Sequence, residues 1–376
     1  MRELNCERCG QRVFFENTRC DACGAALGFV PAELRMGAFE VADIAGSSDW
    51  LRLQGLAQRP CSNYRLEQVC NWMVPADADA SLCLCCSSTQ VIPALNQPEN
   101  RNYWALMEQA KRRLFYGLLA LDLPVAAQAS KPGLSFRFLA NGPLQGEVVT
   151  GHDQGVITLN IAEADDASRE QMRAQMHEPY RTLLGHFRHE IGHYFWDRLI
   201  AGTAWIDEFR QLFGDEREDY AQALQRHYAT PVMDWPTQFI SAYASAHPWE
   251  DWAECWAHYM HMQDGLETAA AWGLRLGQAS AGQASVGPKP LDPQQPLHAT
   301  LIEEWLPVSQ FINAMDRSLG AHDSYPFTVP TPVIDKLEFI HKLIAAQTSV
   351  SRAPPSPADA SPAHAAPSRA APSAAT

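Results

Sequence analysis

No stretch of this sequence is apolar for long enough to cross a bilayer, which argues against a membrane-spanning helix. The opening residues, MRELNCERCG, lack the apolar core that a secretion signal needs, so the expected location is the cytoplasm. Positive charge is scarce. With 29 Lys and Arg against 43 Asp and Glu, the net charge is −14. An acidic chain of this kind is a poor general binder of nucleic acid or of anionic membrane. There is no internal repeat beyond paired Cys-x-x-Cys motifs. Without a secretion signal, the ten cysteines point to metal ligation rather than disulfides. The chain does have 376 residues, of which 46% are hydrophobic, enough for one sizeable catalytic domain with small accessory modules.

The cysteines fall into two clusters and one singleton. Cys6-x-x-Cys9-Gly and Cys20-x-x-Cys23-Gly are two knuckles. Two intervening residues let both thiolates of a pair reach one metal, and the following glycine permits a left-handed turn. Together they predict a tetrahedral four-cysteine zinc site of structural type. The arginines of residues 1–30 are balanced by acids, so a nucleic-acid footprint is missing. In the second cluster Cys83-x-x-Cys86 is another knuckle, and Cys61 with Cys70 completes a second four-cysteine site, leaving Cys85 as the spare. Cys255 stands alone and reads as a small core residue.

Along the rest of the chain, residues 31–60 read as a mixed connection. Residues 102–121 read as an amphipathic helix stopped by Pro124. Three strand-like runs follow: LSFRFLA (134–140), GEVVT (146–150) and GVITLNIA (155–162). Pro179 can sit in the first turn of a helix running to about Ile200, with Gly202 closing it. A second helix is predicted from Pro248 to Met262, a loop over 277–296, and further helices at 299–318 and 332–346. The last residues are almost wholly Ala, Pro and Ser and cannot build a core, so they are expected to be disordered.

The helix around residue 190 carries His189-Glu190-Ile191-Gly192-His193. Histidines at i and i+4 share one helical face, so both imidazoles can reach one zinc. Glu190 then lies beside the open coordination position, where it can act as general base. Leu184, Phe187, Ile191 and Phe195 supply the apolar faces that make the helix credible. His186, one turn earlier, is either an outer donor or a satisfied neighbour. Catalytic zinc needs a third protein ligand. The YFWDRLIAG after His193 excludes a third histidine close by. The segment HPWEDWAE (247–254) offers Glu250 and Glu254 one turn apart, and spacing alone does not choose among Glu250, Glu254 and His258.

With CxxCG…CxxCG, CNW at 70–72, AKRRL at 110–114, GVITLNIAEADD at 155–166, FRHEIGHYFW at 187–196 and HPWEDWAECWAHYMH at 247–261, the chain resembles a bacterial family of zinc-binding metallopeptidases with an N-terminal zinc ribbon. The resemblance reaches to about residue 346. The catalytic stretch is also similar to glutamate-type zincins (gluzincins) of the anthrax lethal factor sort. There a later helix supplies a glutamate ligand, and a tyrosine seven residues earlier points at the substrate carbonyl. That resemblance implies Glu250 as third ligand, Glu254 as its outer partner and Tyr243 as oxyanion stabiliser. The strand GVITLNIA either holds extended peptide along its edge or is an ordinary half-buried strand.

These readings give an α+β fold: a helix-rich zincin-like domain with a small antiparallel sheet over residues 99–348, preceded by a zinc-ribbon module over 1–98 and followed by a tail over 349–376. The expected cofactors are one catalytic and two structural zinc ions. The expected function is hydrolysis of peptide bonds in a peptide or protein substrate. The rival readings are a zincin-like scaffold binding a protein partner through its ribbon, and a zinc amidase acting on a non-protein amide. An intact Glu190 argues against the scaffold, which needs no general base.

Overall fold

The computed structural model describes residues 1–44, 47–125, 133–142, 146–175, 178, 180–230, 232–276, 287–292 and 294–351. The first knuckle is framed by two short antiparallel strands, β1 (Leu4–Asn5) and β2 (Arg12–Val13). Gly10 and Gly24 take φ of +74° and +73°, the left-handed conformation expected after each second cysteine. Each donates its amide to the carbonyl of the knuckle's first cysteine, at 2.9 and 2.8 Å.

Residues 31–60, read as a connection, contain strands. β3 (Ala26–Val30), β4 (Arg35–Ile44) and β5 (Ser47–Arg52) form a three-stranded antiparallel sheet. The period-two signal is weak because Met36, Ala38 and Phe39 are all buried, covering both faces of the start of β4. Arg52, almost wholly buried, pairs with Glu7 at 2.8 Å and Glu33 at 2.7 Å, tying the sheet to the first knuckle. Its hydrogen bond holds the Glu33 carboxyl down at about 2, against the upward push of burial. β6 (Gln58–Pro60) and β7 (Met73–Pro75) pair antiparallel around the short helix α1 (Ser62–Arg65).

Strand β8 (Thr89–Val91) leads to the long helix α2 (Pro98–Ala120). β8 joins β9 (Ser135–Leu139), β10 (Gly151–Asp153) and β11 (Val156–Asn160) in a sheet of order β10-β11-β9-β8. The antiparallel pairing expected here is found between β10 and β11, while β11–β9 and β8–β9 are parallel. The run 146–150 is not a strand, and pairing begins at Gly151. Val148 instead donates its amide to the Asn141 side chain at 2.7 Å and accepts from Asn160 at 3.1 Å, which takes both backbone groups out of a ladder. GVITLNIA contributes β11, which lies between β10 and β9, so the outer strands of the sheet are β10 and β8.

The helices that follow are α3 (Asp166–Gln175), α4 (Leu183–Leu199), α5 (Ile206–Phe213), α6 (Tyr220–Ala229), α7 (Pro248–Ala271), α8 (Leu297–Thr300), α9 (Leu306–Ser318) and α10 (Thr331–Ser351). α4 starts after Thr182, whose hydroxyl caps it by accepting from Gly185 N at 3.0 Å. Pro179, expected in its first turn, lies outside the described residues. α7 runs nine residues past Met262. Gly265 lies inside the helix, where the Trp305 ring occupies the space a Cβ would need, 2.6 Å away. α8 and α9 make the expected 299–318 helix, joined by a π-turn over Leu301–Trp305. That turn ends two residues before Pro307, which has no amide to donate to the previous turn. α10 continues to Ser351, past the expected start of the tail. Residues 352–376 and most of the expected loop at 277–296 lie outside the described residues.

α4 and α7 form the centre of the catalytic part. Phe187, Ile191 and Phe195 are wholly buried on α4, and Trp252 and Trp256 on α7. Gly192 allows the close approach: a Cβ there would lie 3.0 Å from Ala253 Cα. The Trp252 indole donates to Gly192 O at 2.8 Å. β9 packs on the other side of α4 through Phe136 and Phe187, whose rings are 5.8 Å apart. One buried apolar core runs from the ribbon through α2 to α10.

Candidate active site and metal centres

Both cysteine clusters are assembled. The Sγ atoms of Cys6, Cys9, Cys20 and Cys23 lie within 4.8 Å of one another, as do those of Cys61, Cys70, Cys83 and Cys86. The individual separations are 3.8 Å for Cys6–Cys23, 3.6 Å for Cys9–Cys20 and 3.8 Å for Cys70–Cys83. Four sulfurs placed tetrahedrally about zinc at about 2.3 Å are about 3.8 Å apart. The spacing thus fits zinc and is far too long for disulfides. Backbone amides point at the sulfurs: Trp72 N at Cys70, Cys83 N at Cys61 and Cys86 N at Cys83. Cys85 is buried and outside the cluster, and Cys255 packs in the core with its thiol toward Asp251.

The third cluster joins His189 and His193 of α4 to Glu250 of α7. His247 caps α7 by accepting from Trp249 N at 3.1 Å, and Pro248 occupies its first turn. Glu250 therefore sits at the positive end of the helix dipole, where a carboxylate is stabilised. His189 Nε2 lies 2.9 Å from Glu250 Oε2 and 3.2 Å from His193 Nε2, and His193 Nε2 lies 3.5 Å from the same oxygen. Glu254 fixes the tautomer. Its Oε1 accepts from His189 Nδ1 at 2.7 Å, so Nε2 carries a lone pair. The Nε2 atoms of both histidines and a carboxylate oxygen then converge, a donor set that suits one cation between them. Tetrahedral zinc with bonds of about 2.0–2.2 Å predicts ligand separations of about 3.3–3.6 Å, so the observed 2.9–3.5 Å needs only a few tenths of an ångström of opening at His189. The residues present fit the metal.

The surroundings of this cluster are built by several elements. Ser241 donates to Glu254 Oε2 at 2.7 Å, so the glutamate that orients His189 is itself held. Glu190 is largely buried, its Oε2 has no hydrogen-bond partner among the described residues, and burial pushes its carboxyl above the usual range. Tyr243 begins the short 3-10 turn before α7, with its ring 6.0 Å from that of His189. Burial, with Glu250 close by, pushes its phenol far up.

Two histidines left open by the sequence have other partners. His258 shares a hydrogen bond with Tyr325 OH at 2.9 Å, and burial holds it down at about 4. His186 pairs with Glu163. Four neighbours of the site were not anticipated. Tyr220 OH donates to Glu250 Oε1 at 2.6 Å, Ser241 holds Glu254, Trp249 packs on His193 with centroids 3.9 Å apart, and His152 of β10 lies 6.3 Å from His193. Tyr220, Ser241 and His152 come from other segments, and no local spacing marks them. Only Trp249, adjacent to Glu250, lay within a motif already singled out.

Comparison with known proteins agrees with this geometry. Residues 3–97 match a zinc-ribbon domain family, and residues 100–343 match a family described as "Putative zinc-binding metallo-peptidase". The chain is 43% identical over 348 residues to the uncharacterized protein Rv2568c of Mycobacterium tuberculosis and to the uncharacterized protein Mb2598c of Mycobacterium bovis. In each case the match covers 92% of this chain and 95% of the relative. No solved structure matches the chain. Among the described residues no helix is long and apolar enough to cross a membrane. The clusters correspond to one catalytic and two structural zinc sites, and the catalytic one has the gluzincin arrangement of a His-Glu-x-x-His helix with a distal glutamate. The chain belongs to this zinc-binding metallo-peptidase family, with a zinc ribbon ahead of its catalytic domain.

Proposed function

We propose that the protein cleaves peptide bonds in peptide or protein substrates, with His189, His193 and Glu250 holding the catalytic zinc. The observation that carries this reading is the convergence of these three ligands beside Glu190, a buried carboxylate with one oxygen that has no partner among the described residues. Zinc bound there supplies a Lewis acid that polarises a carbonyl and makes water a nucleophile near neutral pH. Glu190 takes the proton of the attacking water and passes it to the leaving amine. Tyr243 donates a hydrogen bond to the oxygen that gains negative charge. Glu254, supported by Ser241, keeps the His189 ring aimed at the metal. The eight cysteines gathered in two metal clusters support a reducing compartment, and with it the cytoplasm, because ligating thiolates have to stay reduced.

The test is Glu190→Gln. Glutamine keeps the size of the side chain but does not accept the proton. This variant should retain all its zinc and lose turnover of unfolded casein by about 100-fold or more. Hydrolysis at the wild-type rate would remove Glu190 from its role. Turnover of small amides without casein cleavage would favour the amidase.

A further inference from the structure

The carboxylate of Glu250 has two oxygens with different surroundings. Oε2 faces His189 and His193, at 2.9 and 3.5 Å. Oε1 faces away from them and accepts from Tyr220 OH at 2.6 Å. A phenol–carboxylate bond of that length is charge-assisted and among the stronger kinds. Tyr220 is not part of the α4–α7 pair. It is the first residue of α6, which Asp219 caps by accepting from Gln222 N at 2.9 Å. Its ring lies against His247, the cap of α7, with centroids 5.3 Å apart, and 6.1 Å from Trp249. The ring remains partly exposed, so the hydroxyl reaches a buried ligand from the surface.

We infer that Tyr220 is a positioning residue of the metal centre: by occupying Glu250 Oε1 it keeps the glutamate a one-oxygen ligand. A free carboxylate can turn both oxygens to a metal. Doing so here would fill the position that a catalytic zinc keeps open for water or substrate. His189 has an anchor of this kind in Glu254, and Tyr220 provides the equivalent for the glutamate. Such partners typically change metal affinity by about 10–100-fold. The inference rests on the reading of Glu250 as a ligand.

The experiment compares holoenzyme of wild type, Tyr220→Phe and Glu250→Ala, using competition with a chelator for the most weakly held zinc. Cobalt is then exchanged into that site while the cysteine sites keep zinc. Tyr220→Phe should weaken the site about 10–100-fold. Its cobalt absorption should fall in intensity as the glutamate engages with both oxygens and the coordination number rises. Both cysteine sites should keep their zinc, because neither includes Tyr220. If Glu250→Ala empties the site while Tyr220→Phe keeps wild-type affinity and spectrum, the role of Tyr220 is overturned and the ligand set stands. If Glu250→Ala itself leaves the affinity unchanged, the ligand reading falls and takes the inference with it.

Discussion

Each ring nitrogen of His189 meets a different glutamate: Nε2 lies 2.9 Å from Glu250 and Nδ1 lies 2.7 Å from Glu254. Removing either glutamate should therefore have unequal effects. Glu250→Ala is expected to lose the catalytic zinc and leave both cysteine sites filled, since two histidines alone hold zinc weakly. Glu254→Ala should weaken binding by about 10–100-fold without emptying the site at saturating zinc. Zinc content of the two purified variants decides the matter, and the reverse order would exchange their roles and remove the basis for nominating Tyr243. His189, Glu190 and His193 are legible in the sequence because they lie within one helical turn and a half, where spacing fixes direction. Glu250 and Glu254 share a helical face, so spacing does not separate them; the two nitrogens of one imidazole do. Tyr220, Ser241 and His152 come from α6, the turn before α7 and β10, and only tertiary packing brings them to the site.

At the scale of elements, α2 shows what periodicity misses. The apolar pattern predicts the helix, yet Glu108 and Lys111 on it are wholly buried and paired at 3.1 Å. The helix lies between the second cysteine cluster and the mixed sheet, so it is covered on more than one face. Glu108 also accepts from Thr89 of β8 at 2.7 Å, and Arg112 donates to Val69 O at 2.5 Å. Breaking a buried pair leaves a charge with no partner in a poorly solvating interior, at a cost of about 3–5 kcal/mol. Lys111→Met should lower stability by about that amount, and adding Glu108→Gln should recover most of it. Denaturant unfolding of the wild type, the two single variants and the double variant provides the check. A loss in the double variant equal to the sum of the singles would show that the two residues act independently. The ribbon sheet is hard to read for a related reason. β4 is buried on both faces where it begins, so the alternation that marks a half-exposed strand is absent. The run at 146–150 fails in the opposite way, having strand-like residues whose backbone bonds to side chains instead.

For the molecule as a whole, the zinc ribbon and the catalytic helices share one core, joined by Phe15 against Tyr116 and by Arg2 on Glu267 of α7. The α+β architecture and the three metal clusters follow the sequence closely, because each rests on short motifs whose spacing is dictated by a metal. The way ribbon and peptidase domain fit together depends on contacts across more than a hundred residues, which no local pattern encodes. The same packing has a consequence for metal exchange. The cysteine sites are closed by four thiolates, whereas the catalytic site has three protein ligands and an open position, so a chelator should strip the catalytic zinc first. The most direct measurement is zinc content beside casein hydrolysis as the holoenzyme is treated with increasing chelator and then reloaded. The account predicts three zinc ions per chain at the start, loss of all hydrolysis as the content falls to two, and its return with one equivalent of zinc. Hydrolysis that persists at two zinc ions, or fully loaded protein that never cleaves peptide, would contradict it.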